Sequence, residues 1–146
     1  MQTDVVTIGE LWDRRAARDP AHVYCRFEDR DWTVGELDER INRLANALLA
    51  QGLVKGDRVA LMLPSHPDHI VAIFALAKAG LVRVPVNVHL KGASLDFVFD
   101  RFEPRAIIAD RAYSEVLAPI VGRLPGLKVV WRGTAAPAAF ASVMIF

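Results

Sequence analysis

The sequence predicts an α/β fold: a parallel-sheet three-layer unit preceded by a helix, a short hairpin and a second helix. Three observations carry this expectation. RVALML, from Arg58 to Leu63, is a continuous apolar run of strand length, the pattern of a strand buried on both faces. Beyond it, apolar strand-like runs alternate with helix-length segments, and strands joined through helices pair in parallel by right-handed crossovers. Ahead of it, Val34, Leu37, Ile41, Leu44 and Leu48 recur every three or four residues, the single apolar stripe of an amphipathic helix.

The elements follow in order. Thr7 and Glu10 have the spacing of a capping box, so a first helix starts there; it ends near Asp19-Pro20, because the residue before proline avoids helical backbone angles. VYCRF (Val23 to Phe27), the polar turn EDRD and then WT read as a hairpin. Thr33 and Glu36 repeat the capping box for the striped helix, and Gly52 is placed to end it in a left-handed turn. After RVALML, Ser65 is the expected cap of a helix from Pro67 to Ala79, with Pro67 and Asp68 in its first turn. That helix is apolar nearly all round through Ile70, Val71, Ile73, Phe74 and Leu76, so it calls for cover on more than one side. Ala72, Ala75, Ala77 and Ala79 allow close approach, Gly80 ends the helix, and LVRVPV is the next strand. Ser94 is expected to start a helix with Leu95, Val98, Phe99 and Phe102 inward; Ala106 to Ala109 is a strand. Ser114 starts a further helix, and Leu127 to Trp131 is a strand.

Composition narrows the class. The chain has 146 residues, 53% of them hydrophobic and 24% charged, which is globular and not disordered. Its 18 basic and 17 acidic residues leave a net charge of +1, which gives no electrostatic reason to expect nucleic acid or an anionic membrane. Cys25 is the only cysteine, which excludes an internal disulfide and a cysteine-based zinc cluster and fits a reduced, cytoplasmic setting. The opening MQTDVVTIGELWDRR does not have the form of a secretory signal. HIVAIFALAKAG is too short, and interrupted by Lys78, to be a transmembrane segment. Residues 133–146 form an apolar tail without a single charge, set apart from residues 1–132 by composition.

Catalytic signatures are absent: there is no G-x-G-x-x-G, no G-x-x-x-x-G-K-[ST] and no G-x-S-x-G. In Ser65-His66-Pro67-Asp68-His69, two histidines flank a carboxylate, but a capped helix start with an acidic first turn accounts for most of that run, and metal is not expected there. Asn87, His89 and Lys91 follow the carboxyl end of a strand, where ligands of open α/β sheets bind; a basic pair there could meet a phosphate, and an ordinary polar loop is the alternative. Arg101, Arg105 and Arg111 read as solvated surface charges, and Trp12, Trp32 and Trp131 as packing anchors.

Four stretches, in order, resemble the amino-terminal region of the adenylate-forming synthetases, the family of acyl-CoA synthetases, luciferases and peptide-synthetase adenylation domains. DWTVGELDERINRLANALLAQGL is similar to the family's L-T-Y-x-E-L segment and helix. VKGDRVALMLPSHPD is similar to its G-D-R-V-A strand and turn. AIFALAKAGLVRVPVNVHL is similar to its K-A-G core, and PRAIIAD with LPGLKVVW to the strand-helix-strand that follows. The resemblance runs from about Thr7 to Trp131. It departs at Val34, where the family often has tyrosine, at Ser65 for asparagine, and at Val88-His89 for proline-arginine.

The resemblance implies the N-terminal portion of the adenylate-forming fold. It also implies a parent carboxylate-CoA ligase that uses ATP, magnesium and CoA on a carboxylic acid, Asn87 favouring the acyl-CoA branch. His89 falls where some members bind the nucleotide phosphate of CoA. The family's phosphate loop, nucleotide motifs and carboxy-terminal lysine match nothing in residues 1–146. The chain is therefore expected to bind none of these cofactors alone and to need the remainder of the synthetase as partner. A free-standing flavodoxin-like or receiver-like module, and an inert truncated product, are the alternatives.

Overall fold

The computed structural model describes residues 6–133 and 143–145, the last three through their backbone. The expected boundary between residues 132 and 133 borders a tail that lies largely outside the described residues. Two compact units are formed: one of residues up to Lys55 together with Ser65–Leu81, the other of Gly56–Pro64 together with residues from Val82 onward.

The first unit is built from helices and a hairpin. α1 (Ile8–Arg18) and α2 (Val34–Ala50) both start on full capping boxes: Glu10 N donates to Thr7 Oγ1 and Thr7 N to Glu10 Oε2, with the same exchange between Thr33 and Glu36. The stripe Val34, Leu37, Ile41, Leu44 and Leu48 is wholly buried, as its spacing requires. β1 (Val23–Phe27) and β2 (Arg30–Thr33) pair antiparallel around Glu28-Asp29, a tighter turn than the expected EDRD, with Glu28 left-handed at φ 53°.

α3 (Pro67–Lys78) is capped by His66, not by the expected Ser65. The residue before a proline is the one driven to extended angles. His66 adopts them (φ −156°, ψ 153°), and its Nδ1 accepts the Asp68 N–H at 3.0 Å, which leaves Ser65 one position too early. Ala72 and Ala75 are fully buried. A closer approach to α3 falls at a glycine, Gly9 of α1, where a Cβ would stand 3.2 Å from the Lys78 Cα.

The second unit is a five-stranded, all-parallel sheet of β3 (Arg58–Met62), β4 (Val82–Pro85), β5 (Ala106–Asp110), β6 (Lys128–Arg132) and β7 (Val143–Ile145) in the order β4-β3-β5-β6-β7. The register aligns Ala60, Ile107 and Val129, and then Met62, Ala109 and Trp131, on one face. α4 (Gly92–Phe102) and α5 (Ser114–Arg123) bury Leu95, Phe99, Leu117 and Ile120 in the same core. Val59, Leu61, Ile108 and Val130 on the other face are buried too, so the run is apolar throughout, as a strand without a wet face must be.

α4 begins at Gly92 behind Lys91, two residues before the expected Ser94. No side chain caps it, and the burial of Leu95 and Phe99 sets its extent. Phe102, expected inward, is 43% exposed: it is the last helical residue before Glu103 turns left-handed at φ 44°.

Candidate functional site

Numbering only the sheet strands, the order is 2-1-3-4-5, and the direction of winding reverses between β3 and β5. In open α/β sheets ligands bind beyond the carboxyl ends of the strands at that reversal. Asp110 closes β5 there. Its Oδ2 receives Arg132 Nη1 from the paired position on β6 at 2.5 Å, and its Oδ1 accepts the Ala112 N–H at 2.9 Å. Both oxygens hold the strand end and the turn after it, so the carboxylate is spent on local structure instead of standing in the acidic cluster a receiver-like module needs.

The residues chosen from sequence lie one strand away, after the edge strand β4. Asn87 Oδ1 accepts the His89 N–H at 2.9 Å and Asn87 O accepts the Leu90 N–H at 3.1 Å, so Asn87 closes a local turn with its own side chain. Val88 and Leu90 are half-buried against the core of the sheet, α4 and α5, while Asn87, His89 and Lys91 are exposed. This alternation brings an imidazole and an ammonium together on one anchored loop. Arg105, read as a solvated charge, is exposed and also reaches Asp57 at 3.3 Å.

In the first unit, Asp68 is buried at 5% exposure and bonded by Arg40 of α2, with His66 Nδ1 3.0 Å from its Oδ2. The guanidinium occupies the carboxylate a metal would need. Among the described residues no group of three or more His, Cys, Asp or Glu side chains is gathered to hold a metal ion. The same stretch borders a cavity of about 340 Å³ whose lining includes Cys25, Phe27, His66, His69, Ile70 and Ile73. Burial pushes the Cys25 thiol up, away from the reactive thiolate. Sequence reasoning missed this cavity; its only local signal is the run of apolar residues on every side of α3.

These residues do not fit magnesium or a nucleoside triphosphate. The carboxylates at the strand end and the helix start are committed to arginines, and among the described residues no glycine-rich turn gathers backbone N–H groups.

A parallel α/β sheet wound in this order defines a broad class of ligand-binding folds, and comparison with known proteins narrows it. The profile of the AMP-binding enzyme family matches residues 12–142, and the chain belongs to that family. It is 37% identical over 112 residues to a feruloyl-CoA synthase of an Amycolatopsis species, a match spanning 76% of this chain and 23% of the relative. It is 28% identical over 125 residues to the medium/long-chain-fatty-acid–CoA/3-oxocholest-4-en-26-oate–CoA ligase of Mycobacterium marinum, spanning 86% of this chain and 23% of that protein. A crystal structure from Rhodopseudomonas palustris, of a protein assigned as a long-chain-fatty-acid CoA ligase, superposes with a TM-score of 0.85 at 26% identity. The superposition covers 96% of this chain and 35% of that one. The resemblance carried by the four motifs is thereby confirmed, and the chain spans about a quarter of the length of these curated relatives.

Proposed function

We propose that this chain serves as the amino-terminal sheet-and-helix scaffold of an ATP-dependent carboxylate-CoA ligase. In the whole enzyme the carboxylate oxygen attacks the α-phosphorus of ATP and pyrophosphate leaves. The CoA thiol then attacks the acyl carbon of the adenylate and AMP leaves. The observation that carries this reading is the family match over residues 12–142, with relatives named as acid–CoA ligases. The groups that hold ATP and magnesium belong to parts of such an enzyme outside these residues, so the chain alone binds neither. A reduced cytoplasmic setting suits the single free Cys25; no described helix is long and apolar enough to cross a membrane.

His89, with Lys91, contacts a phosphate of CoA in this proposal. Their shared exposure on a loop anchored by Val88 and Leu90 supports it. Lys91 supplies the ammonium charge and His89 a ring N–H hydrogen bond.

The test is a chimera in which this chain replaces the matching segment of the Amycolatopsis feruloyl-CoA synthase. Retained feruloyl-CoA formation is expected, with no ATP–pyrophosphate exchange by the 146-residue chain alone. Exchange by the chain alone, or a folded chimera that binds ATP yet forms no thioester, would overturn the proposal. Within an active chimera, His89→Ala is expected to raise KM for CoA about two- to fivefold, as for an exposed polar contact, with adenylate formation unchanged.

A further inference from the structure

We propose that the outward side of α1, with the adjoining end of β1, docks onto an anionic lipid surface. This inference does not rest on the ligase reading. The whole-chain charge of +1 averages away a local asymmetry. At helical spacing, Ile8, Leu11, Arg14, Arg15 and Arg18 share one side of α1 about 120° wide, turned away from the buried Gly9 and Trp12. Ile8 and Leu11 are 59% and 55% exposed, Arg14 and Arg18 are exposed, and Arg15 is half-buried. Tyr24, 42% exposed, adjoins the helix through its ring, which packs edge-on against Trp12 at 5.1 Å, and Val23 next to it in sequence is 44% exposed.

The acids of this helix have partners of their own, and Glu10 additionally feels the charge of Arg14. Glu10 accepts from Thr7 N at 2.7 Å and from Thr7 Oγ1 at 3.1 Å, and Asp13 pairs with Lys78 Nζ at 2.5 Å. Asp19, just past the helix, lies 3.8 Å from His22. Among the described residues no ion pair engages Arg14, Arg15 or Arg18. Three guanidinium groups interleaved with two aliphatic side chains match a helix lying in the headgroup plane, with arginines on lipid phosphates and Ile8 and Leu11 below them. A protein partner is less well served, since the aromatic ring of this surface, Tyr24, is already held edge-on against Trp12 and is not free to fill a partner's pocket. Nucleic acid is less well served still, because the Tyr24 ring is held edge-on by Trp12 and Phe74 and makes no stacking platform.

The experiment is co-sedimentation of the purified chain with phosphatidylcholine vesicles, with and without phosphatidylglycerol, at low and high salt. Tighter binding to the anionic vesicles is expected, weakened by salt. Arg14→Ala with Arg18→Ala should loosen it by about 25-fold, at about fivefold per arginine. Leu11→Ser should loosen it further, whereas Arg83→Ala, an exposed arginine on β4, should leave it unchanged. Far-UV circular dichroism checks that each variant keeps its fold. No vesicle binding, equal binding to both compositions, or binding indifferent to salt or to the paired arginine substitution would each overturn the inference.

Discussion

In the helical unit, polar side chains reach inward and tie the elements together. Trp12 of α1 donates its indole N–H to Asp38 of α2 at 2.9 Å, and Lys78 of α3 donates to the same oxygen at 3.2 Å while pairing with Asp13 at 2.5 Å. Arg40 of α2 holds the buried Asp68 of α3 in the same way. In the sheet unit, the core formed by Ala60, Ile107, Ala109 and Val129 against Leu95, Phe99, Leu117 and Ile120 is aliphatic and aromatic. Its ion pairs lie outside that core: Arg123 of α5 with Asp96 and Asp100 of α4 is exposed at the rim, and the part-buried Arg132–Asp110 pair closes the strand ends. A parallel sheet satisfies its own backbone, so its interior can be hydrocarbon. Helices meeting at angles leave gaps that directional bonds fill, and those bonds fix which helix meets which.

This contrast can be broken or sharpened by substitution. Phe99→Ala opens a void in the dry core and should destabilise by about 3–5 kcal/mol in urea unfolding. Loss of amide protection should concentrate in β5, β6, α4 and α5; an equal loss in α1 to α3 would erase the distinction. Lys78→Met takes one shared ammonium from the part-buried Asp38 and the exposed Asp13 while keeping the stem, and should cost about 1–3 kcal/mol, with protection lost first in α1. Burial pulls the Lys78 ammonium down, but its bonds to Asp13 and Asp38 outweigh burial and hold it above the usual 10.5. Its share of stability is therefore present below that value and fades only as pH rises through the higher folded one.

Gly80→Ala should cost about 1–2 kcal/mol. Gly80 sits at φ +69°, and a Cβ there would meet Lys55 Cγ at 3.0 Å. Thr33→Ala removes the α2 cap for about 1 kcal/mol, and a change in melting temperature reports it. The smallest effect is pH-dependent. The Thr33 backbone N–H and hydroxyl, then Arg30, hold Glu36 below its usual 4.5. Its contribution is whole above 4.5 and lost as pH falls through the lowered folded value. Glu36→Gln should flatten the acid limb of the melting curve slightly, and an unchanged limb would count against the capping box as a source of acid sensitivity.

What was legible in the sequence was local or strictly ordered. Both capping boxes span three residues, and the α2 stripe follows helical spacing, so no tertiary knowledge was needed. The four family motifs were legible because their order along the chain is itself information. The start of α4 was not, because packing of Leu95 and Phe99 overrode the preference of Ser94 for a cap. Nor was the role of Lys78, whose partner Asp38 is 40 positions away. The cavity joining β1 to α3 escaped for the same reason: hairpin and helix meet only after the chain has folded back. For His89 the sequence indicated a residue type and a strand end, and the fold adds an exposed, anchored loop on the edge strand.

The position of β3 between β4 and β5 has a consequence for biosynthesis. Its second edge finds no partner until Ala106 to Ala109 have left the ribosome. At about 5–20 residues per second, this greasy segment waits a few seconds with bare amides and carbonyls along one side. Nascent polypeptides halted in that interval would carry one edge of this apolar strand unprotected.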